Sequence, residues 1–119
     1  MKTTQKIINH VPQKSLLEYT RDKYRHRIGV MIAFPDNDKI FIGWSKCKTK
    51  GQNKDKFDRE LGIKIAMNRA RKYVNYEKLF WHYIPHSMQK PIERFAIKCG
   101  KYYTKNGNDF EFPDWVGLK

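Results

Sequence analysis

Apolar positions along this chain come in short blocks, separated by polar connections and following two different rhythms. Three blocks have strand character: SLLEYTR at 15–21, IGVMIAFP at 28–35 and KIFIGWSKC at 39–47. Their β-branched and apolar content suits a pleated, half-buried surface. Between the second and third lies PDNDK, where Pro, Asp and Asn favour a tight reversal. Strands joined by so short a turn pair antiparallel. The first two, joined by DKYRHR, pair as well, which predicts a three-stranded meander.

The rhythm changes in KDKFDRELGIKIAMNRARKYV, 54–74. At about 100° per residue, Ile63, Ala66, Met67, Ala70, Tyr73 and Val74 gather on one face, widened by Leu61 and Ile65. Glu60, Lys64, Asn68 and Arg71 are left as a wet stripe. Asp55 is the candidate N-cap, with Asp58 three residues on, while Arg69, Arg71 and Lys72 suit the C-terminal end of the helix dipole. Most of the charge here is capping and solvation, so the helix body packs on a sheet and does not grip a ligand. YEKLFWHYI (76–84) predicts a short strand over 79–84. In HSMQKPIERFAIKCGKYY (86–103), Met88, Ile92, Phe95, Ala96, Cys99 and Tyr103 recur at helical spacing. Ser87 is the candidate cap, Pro91 belongs in the first turn where its missing N–H matters least, and Gly100 weakens the last turn. Residues 1–13 form an irregular arm. NGND (106–109) opens a short extended tail (105–119) with Phe112 and Trp115 available to pack. The expectation is a single α+β domain over 1–119: a mainly antiparallel sheet in the order β-β-β-α-β-α, with two helices packed on one face.

Length and composition narrow the class. A chain of 119 residues can bury one real core, and 39% hydrophobic with 14% aromatic residues is too rich for a disordered tail. No run approaches the ~20 apolar residues of a spanning helix, so no membrane partner is expected. MKTTQKIINHVP lacks the apolar core of a signal peptide, which predicts a cytoplasmic protein.

Charge changes the picture more. Lys and Arg number 25 against 12 Asp and Glu, a formal +13. That field favours polyanions or acidic surfaces and says nothing about fold. An AT-rich genome also accumulates lysine, so position matters more than the total. In a three-stranded meander the first connection and the exit from the third strand fall at one end, and the acidic turn with Asp36 and Asp38 falls at the other. Arg21, Lys23, Arg25 and Arg27 come from the first basic connection. Lys46, Lys48, Lys50, Lys54 and Lys56 come from the second. Both helices should also start at that end, the second near His86 and Ser87. Free N–H groups at helix starts make a natural phosphate seat. Tyr24 and Trp44 offer stacking faces if exposed. The expected ligand carries phosphate, most simply a DNA or RNA backbone. Base-specific readout is not expected: there is no zinc-finger spacing, aromatic RNA-recognition signature, GxxG clamp or helix-turn-helix.

Catalytic chemistry finds little support. Cys47 and Cys99 match no CxxC pattern and read as reduced thiols, Cys99 on an apolar helical stripe. His82 and His86 have HxxxH spacing, but Pro85 interrupts them and no acidic or thiol partner is near. Asp55, Asp58 and Glu60 could seat magnesium, yet capping accounts for at least two of them. Gly51, Gly62 and Gly100 are isolated, so there is no glycine-rich phosphate loop. The residues predict a binding protein without metal or cofactor, not an enzyme.

The combination GWSKC (43–47), KDKFDRELGIKIAMNRA (54–70) and IPHSMQKPIERFAIKCGKYY (84–103) resembles small conserved proteins of large tailed bacteriophages, over residues 15–104. The resemblance implies phage origin and expression in an infected bacterial cytoplasm, and it transfers no site residues. It adds two expectations: a nucleic-acid-associated accessory protein, or a host-takeover or anti-defence protein that binds an acidic host protein or a signalling nucleotide. Oligomeric state is left open.

Overall fold

In the computed structural model, which describes residues 14–47, 57–75, 83–105 and 109–116, the three apolar blocks form one antiparallel sheet. Strand β1 spans Leu16–Arg21, β2 Arg27–Asp36 and β3 Lys39–Lys46, in the order β1-β2-β3. Asp36 pairs with Lys39, so the second hairpin turns on Asn37 and Asp38 alone. Asn37 takes the left-handed conformation this needs, at φ 61°, which asparagine tolerates better than most residues. The first hairpin is longer, and Arg25 adopts the left-handed conformation there at φ 72°.

Helix α1 spans Arg59–Lys72 and α2 spans His86–Tyr103. The α+β class and the order of three strands followed by two helices are as the sequence predicts. The strand expected over 79–84 falls outside the described residues at 79–82. Its remaining two residues, Tyr83 and Ile84, are helical and bent and do not extend the sheet.

The helices do not share a face of the sheet, which corrects the expected layering. Along β2, Val30, Ile32 and Phe34 pack with Ile63, Ala66 and Ala70 of α1. The alternate residues Met31 and Ala33 pack with Met88, Ile92, Phe95, Ala96, Cys99 and Tyr103 of α2, together with Ile40, Ile42 and Trp44 of β3. The period-2 alternation of a strand therefore sends the two sets to opposite sides. Val30 through Phe34 are each at most 3% exposed. A strand apolar on both faces must be covered on both, and a one-sided cover would leave half of β2 in water. Each large side chain removed from water in these clusters contributes about 1.5–3 kcal/mol.

Close backbone approach sets α1 on the sheet. A Cβ on Gly43 would collide with the Ala66 carbonyl oxygen and reach 2.8 Å from the Ala70 amide nitrogen. Ser45 Oγ, buried beside it, donates to the Gly62 carbonyl at 2.8 Å. The chain end closes the core: Ile40 N donates to Glu111 O and Glu111 N to Asp38 O, both at 2.8 Å, and Trp115 is buried at 1% exposure. Phe112 packs beside it. No helix among the described residues is long and apolar enough to cross a membrane.

Candidate nucleic-acid interface

Strand direction fixes where the basic connections go. Arg21 pairs with Arg27 and Lys46 with Gly29, so the first hairpin loop and the end of β3 lie at one pole. Asp36 and Lys39 mark the opposite pole, where Arg71 at the end of α1 meets Asp36 at 3.2 Å. Both helices start at the basic pole. Gly62, in the first turns of α1, lies against Ser45, and Ser87, in the first turn of α2, accepts from Lys46 Nζ at 2.7 Å.

The hairpin loop is organised by one carboxylate. Asp22 Oδ1 accepts from the Tyr24 and His26 amides, both at 2.9 Å, and the Arg25 amide donates to the Asp22 carbonyl. The His26 N–H is the main reason the Asp22 carboxyl is held below its ordinary value near 3.8; desolvation opposes it, and the Tyr24 N–H and the His26 ring add to the lowering. Asp22 thus shapes the loop with its charge spent on backbone donors. The consequence is a cationic tip: Lys23, Tyr24, Arg25 and His26 are all exposed, Tyr24 by 68%. Lys23 Nζ sits 5.3 Å from the Tyr24 ring centroid.

The remaining predicted residues divide between the two sides of the sheet. Arg27 lies on the α1 side, its guanidinium 4.0 Å from the centroid of the Tyr19 ring. Arg59 Nε donates to the hydroxyl of the same tyrosine at 2.7 Å. On the α2 side, Arg21, Lys46 and Ser87 come together, and Arg21 donates to the Arg25 carbonyl at 3.0 Å. His86 is exposed at the start of α2. Lys48, Lys50, Lys54 and Lys56 lie outside the described residues.

Four expectations change. Trp44 offers no stacking face: it is 2% exposed, with Tyr73 5.5 Å away and Arg69 5.0 Å from its ring, because its position on β3 faces the α2 core. The cap of α1 is Asp58, which accepts from the Leu61 amide at 3.1 Å, and not Asp55. Ser87 is not the cap of α2, because the helix already begins at His86, two residues before a Ser87 cap would start it, and Pro85 holds the cap position without a side-chain bond. Pro91 consequently sits in the second turn and leaves the Ser87 carbonyl without its usual N–H donor.

The two helix starts are therefore unlike. In α1, Asp58 and Glu60 supply carboxylates to the first turn. In α2 the first turn holds no acid and no side-chain cap.

Sequence reasoning missed Arg94 and Lys98. With Ser87 and Pro91 they form a stripe of α2 at spacings of four, three and four residues, which lines a cleft of about 390 Å³ facing β1. The apolar stripe of α2 gave the clue, since these residues flank it. Knowing that β1 runs alongside required the fold. No protein-family model, no curated protein and no solved structure matches this chain.

Proposed function

We propose that this is a small, basic, phage-type accessory protein that binds the backbone of DNA or RNA through its basic pole, without strong sequence specificity. The observation that carries the reading is the exposed loop tip, where Lys23, Tyr24, Arg25 and His26 project together beside Arg21, Arg27 and Lys46. Arginine forks match phosphate oxygens in two-point contact, lysines add non-directional attraction, and an exposed tyrosine can stack on an unpaired base. The sheet supports them rigidly from behind, and the acidic turn lies at the far pole, where it does not compete.

Binding of this kind releases counterions, so its affinity falls as a power of salt concentration. Fluorescence anisotropy with mixed-sequence single- and double-stranded DNA and RNA, at low and moderate salt, tests it. Arg25→Glu should weaken binding to every sequence alike and flatten the salt slope by about one unit or more. Salt-independent affinity, or an unchanged affinity in Arg25→Glu, would remove the reading.

A further inference from the structure

The cleft between β1 and α2 is built differently from the loop tip. Four cations from three elements reach it: Arg21 of β1, Lys46 of β3, and Arg94 and Lys98 of α2. One carboxylate faces them, Glu18, and it already meets Lys98 Nζ at 2.6 Å. Thr20 and Ser87, with Tyr19, line the same space. Beneath them the floor is apolar, formed by Met31 at 3% and Met88 at 1% exposure, with Ile28 and Pro91 beside them. At about 390 Å³ the cleft has the size of small-ligand sites and is too small to seat a folded partner.

We propose that this cleft binds a phosphomonoester carried on a flat organic group, such as a nucleoside 5′-monophosphate. The phosphate sits among Arg21, Lys46, Arg94 and the Ser87 hydroxyl, and the base lies on the methionine floor. Once Glu18 and Lys98 neutralise each other, Arg21, Lys46 and Arg94 remain, and a doubly charged phosphate offsets most of their charge. Arg94 and Arg21 offer planar forks for its oxygens, while Lys46, already pointing at Ser87, offers a point charge. Met31 and Met88 give the floor polarisable sulfur, that of Met88 already accepting from the Thr20 hydroxyl at 3.8 Å. The same chemistry is supplied by a free nucleotide or by the phosphorylated 5′ end of a strand. The cleft shares Arg21 and Lys46 with the proposed polymer surface but does not depend on polymer binding.

Calorimetry with AMP, adenosine and the variants Arg94→Gln and Lys46→Met tests the site. AMP should bind, adenosine should bind about tenfold more weakly or less, and each variant should weaken AMP by about tenfold. Arg25→Glu should leave AMP affinity unchanged while weakening long oligonucleotides, so failure of the cleft and failure of the polymer surface are read separately. A preference for 5′-phosphorylated over 5′-hydroxyl oligonucleotides assigns the strand end as the source; AMP binding without that preference assigns the free nucleotide. Should either variant fail to fold, amide NMR on the unaltered chain decides: AMP should shift Thr20, Ile28 and Arg94, and leave Leu61 and Ile65 of the opposite face in place. No binding of AMP up to about 1 mM, equal affinity in Arg94→Gln, or shifts confined to the α1 face would overturn the proposal.

Discussion

Gly43 shows how little room a single residue can leave. The backbone of α1 crosses β3 at this point, and any Cβ would strike helix backbone, which cannot rotate out of the way. Gly43→Ala should cost about 3 kcal/mol or more, seen as a lower urea midpoint with an unchanged slope. Cys99 is the opposite kind of residue, tolerant in shape and revealing in its chemistry. Burial, with a smaller contribution from the negative Glu18, pushes its thiol from 9.0 up to about 12. The neutral thiol therefore contributes stability that is whole below pH 9 and drains away as pH climbs toward 12. Urea unfolding above pH 9 should show that decline, and Cys99→Ala should make it shallower. Tyr103, raised by burial as well, adds a decline of the same sign. Asp22 works at the acid end. Its depressed value means the loop's anchor survives until pH falls below 3.8, so the Tyr24 and His26 amide shifts should titrate with a midpoint under that value.

At the scale of elements, the two helices reach similar burial by different means. Helix α1 is capped: Asp58→Ala removes the bond to the Leu61 amide and should cost about 1 kcal/mol in thermal or urea unfolding. It meets the sheet through glycine and alanine at close range, which is why Leu61, counted on its apolar face, ends 51% exposed. Helix α2 lacks a side-chain cap and relies on its apolar stripe. All six positions read from the spacing, Met88, Ile92, Phe95, Ala96, Cys99 and Tyr103, are buried. Phe95→Ala should therefore cost about 3–5 kcal/mol. The wet stripe of α1, Glu60, Lys64, Asn68 and Arg71, was equally legible and is exposed throughout. What period alone did not reveal was which side of the sheet each stripe would meet.

For the whole molecule, the consequential feature is where the exposed loop cations fall along the strand axis. The basic loop tip and both helix starts lie at one pole, and the Asp36–Arg71 pair lies at the other. Nucleic-acid affinity should then respond to which pole is altered more than to the change in net charge. Arg25→Glu and Arg71→Glu change the total equally, yet only the former should weaken binding of a labelled oligonucleotide. Between about 50 and 200 mM salt, a surface contacting six or more phosphates should lose about 10³-fold in affinity. Equal effects of the two reversals would mean that total charge, and not its arrangement, attracts the polymer.

The sequence by itself determined three strands, two helices, the meander, and the pole shared by the first basic connection and the end of β3. These depend on local periodicity, on turn residues such as Asn37, and on the parity of an odd number of strands. It also identified Lys23, Tyr24 and Arg25 of the first hairpin loop, which are exposed because nothing in the fold covers the tip of that loop. Tertiary structure alone decided that the helices flank the sheet on opposite sides, that Trp44 faces inward, and that Arg94 and Lys98 face β1 across a cleft. Each of these depends on which surfaces meet at a distance in the chain. Hydrophobic spacing shows that a face is buried; it carries no record of what buries it.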